Sequence, residues 1–121
     1  MHDQLLWAME PSARGVIACA ALLGFRFDAA VLAECCDTRL ESTEQVLGEA
    51  CRVGLLVVES GKPARYRFRH ALYRSAIRDG LSPPMQRALH ARIAAALERL
   101  ARNGRDDDTI AWHHSRASPK R

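Results

Sequence analysis

Apolar positions in the first third of the chain recur at helical spacing. In "EPSARGVIACAALLG", Val16, Ile17, Ala20, Ala21 and Leu23 follow one face. Pro11 and Ser12 are good helix starters and Gly24 is a good stop. "FRFDAAVLAECC" predicts a short helix capped by Asp28 and running to Ala33 or Cys35, with Phe25 and Phe27 anchoring the connection before it. "STEQVLGEACRVG" carries the strongest helical pattern. Ser42 and Gln45 form a capping-box pair, Val46, Leu47, Ala50 and Cys51 make the inner stripe, and Gly54 ends it. Ahead of these, Gln4–Met9 predicts one or two helical turns.

The period then changes. "LLVVE" (55–59) is apolar and largely β-branched, and "SGKPA" (60–64) is turn chemistry. "RYRFR" (65–69) alternates strictly, so Tyr66 and Phe68 face inward while Arg65, Arg67 and Arg69 face out. This predicts a β-hairpin with a five-residue loop. A helix from His70 to about Asp79 follows, with Leu72, Tyr73, Ala76 and Ile77 inward. A longer helix is capped by Ser82 and opened by Pro83, with a stripe of Met85, Leu89, Ile93, Leu97 and Leu100, and Gly104 closes it. Asp106–Asp108 could begin another helix over "TIAWHHSRAS". Three helices and then a hairpin is the order of a winged helix. The expected fold is therefore mainly α: a winged-helix domain over residues 1–80 and a C-terminal helical extension over 81–121. The sequence has no internal repeat.

Composition narrows the class. The 121 residues suit one compact domain, and 48% hydrophobic content is enough to bury a core. No stretch approaches the ~20 apolar residues of a membrane span, and no basic region precedes an apolar one at the N-terminus, so a cytoplasmic protein without membrane contact is expected. Cys19, Cys35, Cys36 and Cys51 are not spaced as a CxxC pair and sit among Ala and Leu. They read as small buried hydrophobes in a reducing compartment.

The net charge of +4 conceals an asymmetry. Residues 1–64 hold five Lys/Arg against nine Asp/Glu, a balance of −4, whereas residues 65–105 hold ten Arg against two acids, a balance of +8. Such a patch can meet an anionic partner or be a solvated face.

Several chemistries are not encoded. A phosphate-cradling loop needs Gly, four residues, then Gly-Lys-Ser/Thr. The only Gly-Lys is Gly61-Lys62, with Leu56 in place of the first glycine and Pro63 after the lysine. His113 and His114 are adjacent, so on a helix they point about 100° apart and do not form the i, i+4 pair that chelates a metal. No serine or cysteine nucleophile sits in a recognisable setting. The chain is expected not to be an enzyme, and to hold neither metal nor cofactor by itself.

"YRFRHALYRSAIRDGLSPPMQRALHARIAAALE" (66–98) resembles the stretch that follows the ATPase core in bacterial signal-transduction ATPases with numerous domains, the STAND class. It is most similar to the large ATP-binding regulators of the LuxR type. "ARGVIACAALLGFRFDAAVLAE" and "LGEACRVGLLV" look like the helices that precede it there, so the resemblance covers roughly residues 4 to 100. "TIAWHHSRAS" looks like the opening of a tetratricopeptide-like array, here cut short. The resemblance implies a non-catalytic module that couples the ADP/ATP state of a nucleotide-binding core to a downstream helical sensor array. Its partners would be that core and that array, in the same chain or in trans.

In that class a histidine just after the wing strand contacts the phosphate of bound ADP. In plant disease-resistance relatives it lies in a Met-His-Asp motif followed by Leu. The matching residues here are Arg69, His70 and Ala71, then Leu72. Ala71 replaces the aspartate, so the carboxylate that could orient the ring is missing. The resemblance implies His70 as the ADP-phosphate contact, with Arg69 and Arg67 adding charge beside a helix N-terminus. The residues alone favour a helix-start histidine packing on the hairpin, and only the resemblance brings the phosphate contact level with it.

Two other functions fit parts of the chain. The basic half and Arg-bearing wing suit a DNA-binding winged helix. Against specific DNA binding, the helix in the recognition position presents Glu44, Gln45, Gly48 and Glu49, with Arg52 its only base and Glu41 just before it. A protein-interaction adaptor is the third reading. An array cut after its first helix leaves Ile110 and Trp112 without evident cover, which self-association through this C-terminal helix would supply.

Overall fold

A computed structural model describes residues 11–59 and 64–102. Among them are five helices and one small antiparallel sheet: α1 (Pro11–Leu23), β1 (Arg26–Asp28), α2 (Ala29–Cys36), α3 (Leu40–Arg52), β2 (Leu56–Glu59), β3 (Arg65–Phe68), α4 (Ala71–Asp79) and α5 (Pro83–Arg102). The sheet order is β1-β3-β2. The predicted turns at Gln4–Met9, the loop at 60–63, the Gly104 stop and the helix over 109–118 lie outside the described residues.

Helix α1 runs through the middle of the molecule. Ile17, Ala20, Ala21 and Leu23 have no exposure, and Cys19 and Leu22 are also buried, so the helix packs on more than one side. It stops where Gly24 donates to the Ala20 carbonyl (3.1 Å). Asp28 caps α2 as expected. Its Oδ1 accepts from the amides of Ala30 (2.7 Å) and Val31 (3.2 Å). Helix α2 runs to Cys36 and ends at Asp37, which takes up the left-handed conformation (φ 56°, ψ 45°) that glycine more often supplies.

Helix α3 starts three residues earlier than the capping-box reading. Arg39 is the N-cap and makes no side-chain cap bond, while Ser42 and Gln45 lie exposed inside the helix. The start is fixed instead by Thr43, which is buried and shares a 2.7 Å hydroxyl–hydroxyl hydrogen bond with Thr38. The inner stripe forms around Leu47 and Ala50, with Val46 and Cys51 packed at its edge. Gly54 turns the chain out of α3 at φ 90°, where an L side chain is strained.

The hairpin forms where the alternation places it. Leu56 pairs with Phe68 and Val58 with Tyr66, and Arg69 extends the contact by donating to the Leu55 carbonyl (2.9 Å). Tyr66 and Phe68 are buried. The third strand was not anticipated. Residues 26–28 pair with β3 on its other edge, Phe27 opposite Tyr66. Phe27 thereby stacks on Tyr66 (6.1 Å between ring centroids) and meets Phe68 edge-on (6.0 Å).

Two further expectations are corrected. Leu72 points outward, with 70% of its surface exposed, because α4 turns Tyr73 and Ile77 toward the core and Arg74 donates through Nε to the Ala21 carbonyl (2.7 Å). Met85 is 48% exposed rather than part of the inner stripe. The stripe of α5 is Leu89, Ile93, Ala96, Leu97 and Leu100, and these residues belong to the same core cluster as those of α1 and the sheet. Ser82 Oγ accepts from the Met85 amide (3.3 Å), which bears out the predicted cap. Arg99 ties α5 to α2 through the Glu34 carboxylate (3.0 Å) and carbonyl (3.3 Å).

Candidate functional site at the strand–helix junction

Strand β3 ends at Phe68 and α4 begins at Ala71, so Arg69 and His70 form the whole connection. Their backbone is held on both sides. The Arg69 amide donates to Leu55, and the His70 carbonyl accepts from the Tyr73 amide (3.0 Å). His70 is the N-cap of α4 in extended conformation (φ −136°, ψ 142°), and its side chain makes no cap bond. The imidazole is exposed and lies edge-on to the Tyr73 ring, 5.1 Å between centroids. Tyr73 is a partner that the sequence pattern did not single out.

The three arginines of the strand differ. Arg65 and Arg69 are exposed and Arg67 is half-buried. Arg67 bonds Glu59 Oε2 through Nε (3.1 Å) and donates from a terminal nitrogen to the Phe68 carbonyl (3.2 Å). Arg26 reaches the same Glu59 oxygen at 3.2 Å. Glu59 therefore engages two of the cations on this face, and Arg67 is the less available of the junction candidates. The geometry gathers His70, Arg69 and the first turn of α4 at one exposed edge. Cationic and N–H donors together at a helix start are chemistry suited to a phosphate.

The outer face of α3 bears on DNA recognition. Glu41, Ser42, Glu44, Gln45, Gly48 and Arg52 are exposed, and the Arg52 guanidinium is paired with Glu49 on the same helix. The one base on that face is thus neutralised locally. At about 0.15 M salt, duplex DNA should bind only in the nonspecific range of roughly 10⁻⁴–10⁻⁶ M, falling steeply as salt rises. Fluorescence anisotropy over a salt series measures this, and nanomolar, sequence-dependent binding would make α3 a recognition helix.

All four cysteines are free thiols. Cys19 on α1 meets Cys35 and Cys36 on α2. Its thiol is pushed up to about 12, first by the hydrogen bond with Cys35 and further by burial, and Cys36 is raised by its bond to Cys19 and by burial. Thiolate nucleophiles are thereby suppressed at neutral pH. Among the described residues no group of three or more His, Cys, Asp or Glu is placed to hold a metal ion, and no helix is long and apolar enough to cross a membrane.

The raised thiols give a pH dependence. In the unfolded chain a thiol ionises near 9.0, and in the fold Cys19 holds its proton to about 12. The unfolded state therefore sheds protons first as pH rises. The thiol contribution is complete below about pH 9 and is lost on the way to 12, at up to about 1.4 kcal/mol per pH unit for one group. Melts from pH 8 to 11 should show this decline, and Cys19→Ala should flatten it. An unchanged slope would place the decline elsewhere.

Comparison with protein-family models, with curated proteins and with solved structures finds no match to this chain.

Proposed function

We propose that this chain is a non-catalytic winged-helix module of a STAND-type signalling ATPase of the LuxR-type regulator kind, working in the cytoplasm. It couples the ADP/ATP state of a nucleotide-binding core to a helical sensor array that follows. The core is supplied by the same polypeptide or in trans. The observation that carries this reading is the junction itself: His70, exposed and uncommitted to capping, sits beside Arg69 at the start of α4. The order helix, strand, helix, helix, hairpin, with a β1-β3-β2 sheet, suits a winged helix. The chain encodes no phosphate loop, so the core holds most of the nucleotide and this module closes on its phosphate.

Nucleotide retention tests the reading. The isolated chain should barely bind ADP, and joining it to the core should slow ADP release. Tight ADP binding by the chain alone, or a core that releases ADP at the same rate with and without it, would refute the assignment.

A further inference from the structure

Helices α1, α4 and α5 enclose an open groove of about 800 Å³ on the side of the molecule where α1 and α5 begin. Helices α1 and α5 each present one face to it. Ser12, Val16 and Cys19 on α1, like Met85, Leu89 and Arg92 on α5, follow i, i+4, i+7 spacing. Ala76 and Ile77 of α4 complete the apolar floor. This accounts for Met85, an exposed large hydrophobic that stands at the groove edge. The volume falls in the roughly 300–1,000 Å³ range of sites that take up a compact ligand.

The groove has two unlike ends. Arg92 lies two turns beyond Met85, about 10 Å along the axis of α5. The Arg92 charge acts on the thiols of Cys19 and Cys36, so the guanidinium and both thiols share one end. Leu81 and Met85 mark the other, which is apolar. Among the described residues that line the groove there is no Asp or Glu. Arg14 also lines it but already has an interaction of its own, so the charge open to a ligand is that of Arg92. None of the ion pairs among the described residues engages Arg92, whereas Arg99 on the same helix is tied to Glu34. Cys19 and Cys36 keep their protons at neutral pH, so they bring no negative charge to oppose an anion.

We infer that this groove binds a small amphipathic carboxylate of the medium-chain fatty-acid class, its chain between α1, α4 and α5 and its carboxylate on Arg92. The apolar floor takes the alkyl chain out of water. The guanidinium fork suits a carboxylate, to which it donates two parallel hydrogen bonds. One uncommitted cation matches one negative charge, and apolar walls disfavour a ligand carrying several. A neutral alcohol leaves Arg92 without a counter-charge, and an amine is repelled by it. The balance of +8 over residues 65–105 draws anions to this half of the chain. The site is separate from the His70 junction and does not depend on the nucleotide reading. A ligand seated there touches three helices of one core, so it should raise the melting temperature by mass action.

Calorimetric titration of the full chain at neutral pH tests this, with decanoate kept below its micelle concentration. Decanoate should bind saturably, decanol more weakly, and decylammonium not at all. Arg92→Glu should weaken decanoate about tenfold or more, the loss of a hydrogen bond between charged groups, and should admit decylammonium. Arg92→Lys should keep most of the affinity. Met85→Asp should also weaken decanoate, by placing an anion at the apolar end. Arg87→Glu is the control, an exposed base on α5 that does not line the groove, and it should leave binding unchanged. Absence of saturable binding overturns the inference. So does equal affinity for decanol and decanoate, or an equal loss for Arg92→Glu and Arg87→Glu. Should a variant not fold, the parent alone decides: decanoate should shift the methyl resonances of Val16, Ile77 and Leu89, and shifts confined to residues away from the groove refute the site. Retention on anionic vesicles without saturable decanoate binding would assign this surface to a membrane and equally refute it.

Discussion

Phe68→Ala should cost about 3–5 kcal/mol of folding stability, the range for truncating a fully buried aromatic. Phe68 has no exposed surface. Its ring meets Phe27 edge-on, its amide donates to the Phe25 carbonyl (3.1 Å), and it faces Leu56 across the hairpin. Removing the ring opens a void where sheet and helices meet, and the rigid strand pairing on both sides of β3 limits how far neighbours can close it. Val58→Ala is the control, because Val58 is 55% exposed on the same hairpin, and it should stay within about 0.5 kcal/mol. Leu72→Ala should behave like Val58→Ala, since Leu72 lies outside the core. Urea denaturation of the three variants decides the matter. A loss for Phe68→Ala no larger than that for Val58→Ala would mean that the sheet does not form part of the core.

Much of this architecture was legible because the signals are local. The strict alternation of Arg65 to Arg69 can be satisfied only by a strand with Tyr66 and Phe68 on one side. The Asp28 and Ser82 caps and the Gly24 and Gly54 stops each depend on one residue meeting its own neighbours. What escaped depended on distant contacts. Three residues, Arg26–Asp28, are too few to show a period, and their strand character comes from pairing with β3. Ser42 and Gln45 have the capping-box form, but the part-buried Thr38–Thr43 hydroxyl pair sets the start of α3 first. Leu72 matches helical spacing, yet the rotation of α4 is set by its packing and by Arg74 reaching Ala21.

The candidate site divides the same way. The exposed position of His70 at the junction follows from the switch of period at residue 70. The commitment of Arg67 to Glu59 could not be read from the alternation, which makes Arg65, Arg67 and Arg69 equivalent. Sheet pairing brings Arg26, Arg67 and Glu59 together, and that distinguishes Arg67 from Arg69.

That distinction shapes the expected result for His70. On the proposed function, joining the chain to a nucleotide-binding core and then making His70→Ala should speed ADP release and shift the population toward the active state. A hydrogen bond to a charged group is worth about 1.5–3 kcal/mol, or roughly ten- to a hundred-fold in ADP retention. Folding should change little, because the ring is exposed and makes no cap bond. Its edge contact with Tyr73 is worth at most about 1.5 kcal/mol. Arg67→Ala is the matched control. Its guanidinium is occupied by Glu59, which keeps Arg26 as a partner when Arg67 is gone, so ADP release should move far less. Arg69→Ala should fall between them, since Arg69 adds charge at the exposed edge without the helix-start position of His70. ADP off-rates and urea midpoints for the three variants together separate the outcomes. Equal small changes in off-rate would make His70 one more surface residue of a basic wing. A large loss of stability without nucleotide would make it a packing residue on Tyr73. Only accelerated release at unchanged stability identifies His70 as the phosphate contact.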